Sequence, residues 1–193
     1  LALRDQLQAS GATVFIIRPG IDPEDSVSEL NRLWEQQPIS HLFLMTPHDG
    51  DVMVGADEIL FDQRCRRGVL VPFVLCQQWI RLLKKASMLD KATLYACTAL
   101  GGDLGISGNV AAIESGGLTG LIKSLHIEFA HNLENGIRVK AIDFDSQESA
   151  NTMATAICRE LAGNAPNLEV GYTGGKRHVA QIVAQPLESS ELR

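Results

Sequence analysis

The sequence predicts an α/β fold in which a mostly parallel sheet ends in an antiparallel hairpin. Short, almost wholly apolar runs such as 41–46 and Thr93–Thr98 are typical of strands buried on both faces of a parallel sheet. Segments with helical spacing of apolar residues separate these runs, which favours parallel pairing through helical crossovers. Near the end of the chain, the β-rich runs 168–172 and 178–183 flank a Gly-Gly pair, and this arrangement predicts a hairpin.

The centre of the chain, residues 91–144, has the pattern of a βαβ unit. A strand leads into a glycine-rich turn, a helix predicted over 110–131 and a second strand over 137–144, which Arg138 and Lys140 interrupt with period 2. Such a unit is common in nucleotide-binding enzymes, but it also occurs as plain architecture. The chemistry of individual residues must therefore decide between the two.

Composition limits the class of protein. The chain has 193 residues, 45% of them hydrophobic, and a formal net charge of -6 with both signs interspersed. These values predict a real core and argue against a nucleic-acid surface or a polybasic membrane anchor. No apolar run approaches the roughly 20 residues of a membrane span. We expect residues 1–187 to form one domain and residues 188–193 to be a polar tail or linker.

The cysteine pattern favours a reducing compartment. Cys65, Cys76, Cys97 and Cys158 are widely spaced and form no CxxC pair. Three of them fall in apolar segments, where cysteine behaves as a small hydrophobic residue. We therefore expect reduced, structural thiols and a cytoplasmic location.

The chain begins with a helical pattern, which ends at Ser10 and Gly11 before a predicted strand over 13–17. Leu1, Leu3 and Leu7 share one face of this helix. Doubly wound sheets begin with a strand, so we expect the first strand of this sheet to lie upstream of the helix, in a longer polypeptide.

Three further helices are predicted. Pro23 lies near the start of an amphipathic helix whose apolar face is formed by Val27, Leu30, Leu33 and Trp34. Residues 56–88 are helical in pattern, and Pro72 must start a helix or kink one, so two helices or one broken helix fit equally well. The core positions predicted there are Phe73, Cys76, Ile80 and Leu83. A helix over 148–161 precedes the hairpin.

The glycine-rich turn does not match a dinucleotide site. Its glycines are Gly101, Gly102, Gly105 and Gly108. They follow the third predicted strand, and their spacing is not G-x-G-x-x-G. Asp103 would also place a carboxylate where a phosphate must lie. A flexible or tightly turned loop is the favoured interpretation.

The chain nevertheless resembles a known family. The phrases SGNVAAIESGGLTGLIKSLHIEF and IRVKAIDFD, with the order of elements over nearly the whole chain, resemble the ketoreductase region of modular (type I) polyketide synthases, which is short-chain dehydrogenase/reductase-like. The similarity is to its N-terminal structural subdomain. The resemblance implies a truncated, Rossmann-like, three-layer fold with an antiparallel C-terminal hairpin edge. It also implies that the glycine-rich turn of a catalytic half would follow the hairpin.

The resemblance further implies that catalytic groups are missing. Active members of the superfamily have Tyr-x-x-x-Lys on the helix that corresponds to 110–131, and these two positions fall on Ala111 and Ser115. Thr98 is the hydroxyl nearest to the place of the family's serine, but a threonine in a local turn is the favoured interpretation. We therefore predict no catalytic, cofactor-binding or metal-binding residue in this chain.

The histidines are weak candidates. His41 and His126 lie on apolar elements and are expected in the core or at its boundary rather than as bases. His48, with Asp49 and Asp51, could mimic a metal cluster, but ligands at a fixed spacing are missing and a solvated loop is favoured.

Small residues mark the helix that follows the glycine-rich turn. Ser115, Gly116 and Gly117 are followed by Gly120. Each glycine costs a helix about 1 kcal/mol relative to alanine. Three glycines in one helix therefore predict a face that another backbone approaches closely.

The sequence thus predicts a structural subdomain that is non-catalytic by itself and stabilises an adjacent catalytic ketoreductase subdomain of the same polypeptide. NADPH is expected in that neighbour, which would reduce carrier-bound β-ketoacyl intermediates, and an acyl carrier protein is a further candidate partner. Neither nucleic acid nor membrane is expected as a partner. Two alternatives stay open: a divergent active short-chain dehydrogenase/reductase that binds NAD(P)H, and a docking module for carrier or partner domains that uses loop 47–55.

Overall fold

The computed structural model describes residues 1–18, 20, 22–48, 58–130 and 136–184, and its centre is a mixed sheet. The sheet has five strands in sequential order: β1 (His41–Leu44), β2 (Thr93–Thr98), β3 (Arg138–Phe144), β4 (Glu169–Thr173) and β5 (Lys176–His178). The first four strands are parallel, and β5 is antiparallel to β4. The predicted α/β class, with an antiparallel C-terminal edge, is confirmed.

Helices cover both faces of the sheet. They are α1 (Ala2–Ala9), α2 (Pro23–Gln36), α3 (Glu58–Cys65), α4 (Val71–Ala86), α5 (Ser115–Ala130) and α6 (Ala150–Ala162), with a π-helical turn, Arg66–Leu70, between α3 and α4. On one face α2 packs on α4, and α5 lies over β2 and β3, whereas α1 packs on α6. The fold therefore has three layers.

Two apolar clusters lie on opposite sides of β2. Leu94 and Ala96 belong to the cluster beneath α2, α4 and α5, whereas Tyr95 and Cys97 belong to the cluster on the α6 side. Successive side chains of a strand point to opposite faces, so a strand covered on both sides is apolar throughout. All six residues of β2 are buried, as its sequence predicted.

Strand β1 is less buried than its sequence predicted. Only Leu44 is fully buried, and His41 is exposed. Because β1 is the end strand of the described sheet, its hydrogen bonds go to β2 alone. The prediction of a strand buried on both faces is therefore wrong for most of β1.

The strand predicted over 13–17 does not form. None of the described strands pairs with this segment, and a strand requires a hydrogen-bonded neighbour. Ile17 nevertheless packs against the α2-side cluster, whereas Ile16 is exposed. The apolar pattern of this segment therefore indicated a contact with the core, which Ile17 makes, but not whether the backbone pairs with a strand.

The helical region before β2 consists of two helices joined by the π-helical turn, which is one of the two arrangements predicted. Pro72 lies in the first turn of α4. Cys76, Ile80 and Leu83 are buried, but Phe73 is 42% exposed, so its placement in the core is wrong. Pro72 lies on the buried face of α4. Successive residues of a helix are about 100° apart around its axis, so the side chain of Phe73 points away from the direction of Pro72.

Two elements differ from their predicted bounds by about five residues at one end, and the other boundaries differ by one or two residues. Helix α5 begins at Ser115 rather than at residue 110, because the amides of Ala111 and Ala112 both donate to the Ala99 carbonyl oxygen, at 3.0 and 3.1 Å. In the hairpin, pairing begins with Thr173 opposite Lys176, so the second strand spans Lys176–His178 rather than 178–183. A two-residue Gly-Gly turn fixes that register. The predicted tail 188–193 lies outside the described residues.

Candidate functional site

The carboxyl ends of β2 and β3 are the candidate site. Ligands of open α/β sheets bind beyond the carboxyl ends of parallel strands, and here the glycine-rich turn leaves β2 at that edge. The residues singled out from the sequence, Thr98, Ala111 and Ser115, lie beside this turn.

A buried carboxylate organises the site. Asp143, near the end of β3, is fully buried, and its Oδ1 accepts hydrogen bonds from Thr98 Oγ1 at 2.8 Å and from the Leu100 amide at 2.6 Å. Its Oδ2 accepts from the Leu104 amide at 2.9 Å. Sequence analysis missed Asp143, although a single acidic residue in the apolar run AIDF indicates a buried carboxylate that needs hydrogen-bond donors.

The glycine-rich turn is packed directly on the sheet. Gly102 has φ +77°, and a Cβ there would collide with the Tyr172 carbonyl oxygen and lie 2.9 Å from the Asp145 amide nitrogen. A Cβ on Gly171 would in turn collide with the Gly102 carbonyl oxygen. The turn backbone therefore lies across the carboxyl end of β4. Of the two forms predicted for this turn, the structure has the tight one.

Asp103 closes the same turn. Its Oδ2 accepts a hydrogen bond from the Ser107 amide at 3.0 Å. Hydrogen bonds from Ser107, first from its side chain and then from its backbone, lower the pKa of Asp103 despite a smaller opposing effect of burial. An ionised carboxylate inside the turn disfavours a phosphate at the same place.

Ser115 and Ala111, which the sequence resemblance aligned with a lysine and a tyrosine, both make hydrogen bonds with the backbone of Ala99. Ser115 is fully buried, and its Oγ accepts a hydrogen bond from the Ala99 amide at 3.2 Å. Ala111 has no side-chain donor, and its amide is bonded to Ala99. The hydroxyl of Thr98 is likewise used, since it donates to Asp143. In this arrangement the hydroxyls of Thr98 and Ser115 both make hydrogen bonds within the chain.

His48 lies at this edge, which the sequence did not indicate. Its Nε2 is 3.1 Å from the Thr98 carbonyl oxygen, and its ring meets the Phe144 ring edge-on with centroids 5.9 Å apart. Asp49 and Asp51, considered with it as a metal cluster, lie outside the described residues. Among the described side chains, no group of three His, Cys, Asp or Glu residues is placed to hold a metal ion.

The other candidates lie elsewhere. His126 is exposed, so its expected placement in the core or at its boundary is wrong. His41 is exposed at the start of β1, but partial burial lowers its pKa, so it lies at the boundary and not in the core. The four cysteines are free thiols, and burial raises the pKa of Cys76 to about 12. A thiol with so high a pKa is a poor nucleophile. Burial also raises the pKa of Cys97.

A cavity of about 380 Å³ lies between the start of α1, residues 16–18 and the start of α2. Arg4 and Arg18 line it together with Asp25 and Glu29. Arg4 already donates to Asp5 at 2.7 Å. Opposite charges therefore share this cavity, which makes it unlike the wholly basic lining that a phosphate favours.

Comparisons with known proteins bear on the fold. No family model matches the chain, and no curated protein matches it. Within the described ranges, no helix combines the length and apolar character needed to cross a membrane.

Solved structures do match. A 4-hydroxyisoleucine dehydrogenase complexed with NADH and succinate has a TM-score of 0.63 at 12% identity, covering 84% of this chain and 85% of that one. For a short-chain dehydrogenase from Streptomyces avermitilis the TM-score is 0.60 at 16% identity, covering 86% and 73%. A keto acid-selecting NRPS module with adenylation, ketoreductase and pseudo Asub domains has a TM-score of 0.64 at 15% identity, and the match covers 93% of this chain but 16% of that one.

At these identities the likeness concerns the fold and not the active-site residues. The matched proteins include two dehydrogenases and a module that contains a ketoreductase. The chain therefore has the Rossmann-like fold of short-chain dehydrogenases and ketoreductases.

Proposed function

We propose that this chain is the structural subdomain of a polyketide-synthase-type ketoreductase. In this role it stabilises an adjacent catalytic subdomain of the same polypeptide, located in the cytoplasm, that reduces carrier-bound β-ketoacyl intermediates with NADPH. The observation that supports this role is the occupation of the candidate site by the chain itself. Ser115 and Thr98, the hydroxyls nearest to the catalytic positions, are bonded to the Ala99 amide and to Asp143.

The chemistry of carbonyl reduction supports the same role. A reductase needs a proton donor beside the carbonyl oxygen and space for a nicotinamide at the carboxyl ends of the strands. The sequence resemblance assigns Ala111 to the donor position, and the backbone of Gly102 lies against the end of β4. A nicotinamide at that end of the sheet would have to displace a turn that Asp143 holds with two amide hydrogen bonds.

The likeness to a multidomain NRPS module supports a place within a larger assembly. In that module the match covers 16% of a chain that also contains adenylation and pseudo Asub domains. A subdomain without a cofactor contributes by packing against its neighbour. Its NADPH-binding partner, and an acyl carrier protein that delivers substrate, belong to this proposal.

Calorimetric titration of this chain with NADPH tests the proposal. We expect no saturable heat up to millimolar cofactor, and no NADPH-dependent reduction of a β-ketoacyl thioester. Addition of the catalytic subdomain should then raise the melting temperature of that subdomain, because a ligand of the native state stabilises it. An unchanged melting temperature on mixing would contradict the proposal.

The rival function is a divergent active reductase. The position of His48 beside the end of β2 favours it, since histidine is the commonest general acid or base. Saturable NADPH binding at micromolar concentration, together with an NADPH-dependent reduction that His48→Ala abolishes without abolishing binding, would establish the rival and overturn the scaffold role. The docking alternative depends on loop 47–55, of which the structure describes only Pro47 and His48.

A further inference from the structure

Helix α3 buries none of its side chains. Ile59, Leu60 and Phe61 follow one another and are 68%, 40% and 41% exposed. Successive residues are about 100° apart around a helix axis, so these exposed side chains span more than half of its circumference. A surface helix normally buries an apolar stripe against the core, and an isolated helix of fewer than about 12 residues is marginal in water. The eight residues of α3 therefore need support from outside the helix.

The π-helical turn, Arg66–Leu70, separates α3 from α4, much of which is buried in the core. Among the described elements, α3 makes its extensive contacts with this turn, which continues it along the chain. The turn itself packs on α5. A Cβ on Gly117 would lie 2.9 Å from both Val69 Cγ atoms, so the close contact predicted for the glycines of α5 is made at Gly117. Sharp bends of helices occur at π-helical turns. A bend at this turn would move α3 and leave α4 and α5 in place.

A nearly buried ion pair connects α3 to the segment that leads into α5. Arg64 donates from Nε and Nη2 to Glu114 Oε1, at 2.9 and 2.6 Å. The side chains of Arg64 and Glu114 are only 14% and 6% exposed. A Cβ on Gly68 would lie 2.9 Å from Glu114 Cγ, so glycine in the π-helical turn leaves room for the acid. Because a buried charge without its partner is unfavourable, this pair favours a position of α3 close to Glu114.

Glu114 lies next to the candidate site. Two residues before it, the Ala112 amide donates to the Ala99 carbonyl oxygen at 3.1 Å, and Ala99 directly follows β2. One residue after it, Ser115 begins α5 and accepts a hydrogen bond from the Ala99 amide. Displacement of α3 would therefore expose a carboxylate close to the carboxyl end of β2.

We propose that α3 is a flap, hinged at the π-helical turn and held closed by Arg64 and Glu114, which opens while the sheet stays folded. In the closed flap the two charges satisfy each other away from water. In the open flap both charges are hydrated, and the Glu114 carboxylate reaches solvent beside the end of β2. The flap is built from this chain alone, so it does not depend on the proposed function or on a neighbouring subdomain.

Hydrogen exchange of the wild-type chain in low urea tests whether the flap opens separately. In an eight-residue helix only the amides of residues 62–65 can donate to a carbonyl four residues earlier, so these amides report on α3. We expect their exchange rates to change by less than about twofold per molar urea, because the flap exposes little surface when it opens. The Ala141 amide, which donates to the Leu168 carbonyl oxygen, should accelerate about tenfold or more, because opening of the sheet exposes much more surface.

Glu114→Gln tests whether the ion pair holds the flap closed. We expect the amides of residues 62–65 to exchange about tenfold faster or more in this variant, because the Arg64 cation loses its counter-charge and regains water when the flap opens. Glu29→Gln is the matched control, since it removes an exposed ion pair with Arg32 on α2. It should leave exchange in α3 unchanged.

Gly68→Ala is an independent check on the same contact. Alanine is a better helix former than glycine, so helix propensity alone would slow exchange in α3. The added methyl group would, however, displace the side chain of Glu114 from its place against the π-helical turn. We therefore expect faster exchange of residues 62–65 in this variant.

Three results would overturn the flap. Amides of residues 62–65 that respond to urea as strongly as the Ala141 amide would show that α3 opens only with the sheet. Unchanged exchange of residues 62–65 in Glu114→Gln would show that the ion pair does not hold α3. Slower exchange of these residues in Gly68→Ala would show that the contact between Glu114 and the π-helical turn does not keep the flap closed.

Discussion

Two buried carboxylates organise opposite regions of this molecule, and they are satisfied in different ways. Asp143 accepts hydrogen bonds from the hydroxyl of Thr98, at the end of β2, and from two backbone amides in the segment that follows β2. Glu160 on α6 accepts from Lys140 Nζ at 2.7 Å, Arg177 Nε at 2.6 Å and the Tyr172 hydroxyl at 2.8 Å. Asp143 thus holds the glycine-rich turn through uncharged donors. Glu160 instead connects α6 to β3, β4 and β5 through the side chains of a lysine, a tyrosine and an arginine.

The electrostatics of Glu160 follow from this arrangement. Burial alone would raise its pKa, but hydrogen bonds from Arg177, Lys140 and Tyr172 outweigh burial and hold the pKa at about 2. Burial, followed by the hydrogen bond to Glu160, raises the pKa of Tyr172 to about 12. Loss of the Asp143 carboxylate should therefore have a local effect, whereas loss of the Glu160 carboxylate should leave a buried cation without its partner.

Glu160→Gln should have the largest effect, because the Lys140 side chain is 5% exposed and would lose its counter-charge. Removing one partner of a buried ion pair costs about 3–5 kcal/mol. We expect a loss of this size in the free energy of unfolding, measured by urea denaturation. Asp62→Asn, which removes an exposed pair with Arg66, is the control and should change stability by less than about 1 kcal/mol. Equal losses of unfolding free energy in the two variants would show that the buried Glu160 pair stabilises the fold no more than the exposed Asp62 pair.

Acid should break the Glu160 cluster without any mutation. Because the folded pKa lies below the ordinary value of 4.5, the cluster contributes its full stability above about pH 4.5 and loses it as the pH falls toward 2. A shift of this size corresponds to about 3 kcal/mol. The difference in unfolding free energy between wild type and Glu160→Gln should therefore shrink over this pH range. A difference that stays constant from pH 5 to pH 2.5 would show that the carboxylate charge does not contribute.

Gly102→Ala sharpens the account of the Asp143 region. A methyl group there must adopt φ +77° and also displace the Tyr172 carbonyl, so we expect a loss of about 2–3 kcal/mol. Gly108→Ala is the matched control, since Gly108 has φ +78° but no atom within 4 Å of its Cβ position, and it should cost about 1 kcal/mol from backbone strain alone. Similar losses for both variants would contradict the close contact between the turn and β4.

The same two regions show what the sequence could and could not predict. Strand β2 was predicted to the residue because burial on both faces produces an uninterrupted apolar run. Lys140 was recognised as a polar interruption in a strand, but its partner Glu160 lies on a helix 20 residues later, and no local pattern links them. The start of α5 was misplaced because the bonds of Ala111 and Ala112 to Ala99 are tertiary interactions. The local spacing of apolar residues thus predicted that β2 and α5 exist, whereas hydrogen bonds to a residue distant in sequence set the start of α5.

The candidate site shows the same division. The resemblance identified Ala111, Ser115 and Thr98 as the positions to inspect, and all three contact or adjoin the segment that follows β2. The role of Asp143 could not be predicted, because its partners at Leu100 and Leu104 are backbone amides. Every residue except proline has such an amide, so the sequence does not show which residues bind the carboxylate. His48 was considered only for its neighbours in sequence, whereas its position depends on the packing of its ring against Phe144.

Asp143→Asn should have the smallest effect and the most local one. The asparagine side chain is almost the same size, but one of the two acceptor oxygens becomes an NH₂ group, which cannot accept a hydrogen bond. The remaining oxygen cannot accept all three hydrogen bonds that Thr98, Leu100 and Leu104 donate to Asp143. Loss of a charge-assisted acceptor costs about 1–3 kcal/mol. Hydrogen exchange should accelerate at the Leu100 and Leu104 amides, while the β3 amide of Ala141, which donates to the Leu168 carbonyl oxygen, stays protected. Faster exchange throughout β4 and β5 would mean that Asp143, like Glu160, stabilises the whole carboxyl end of the sheet.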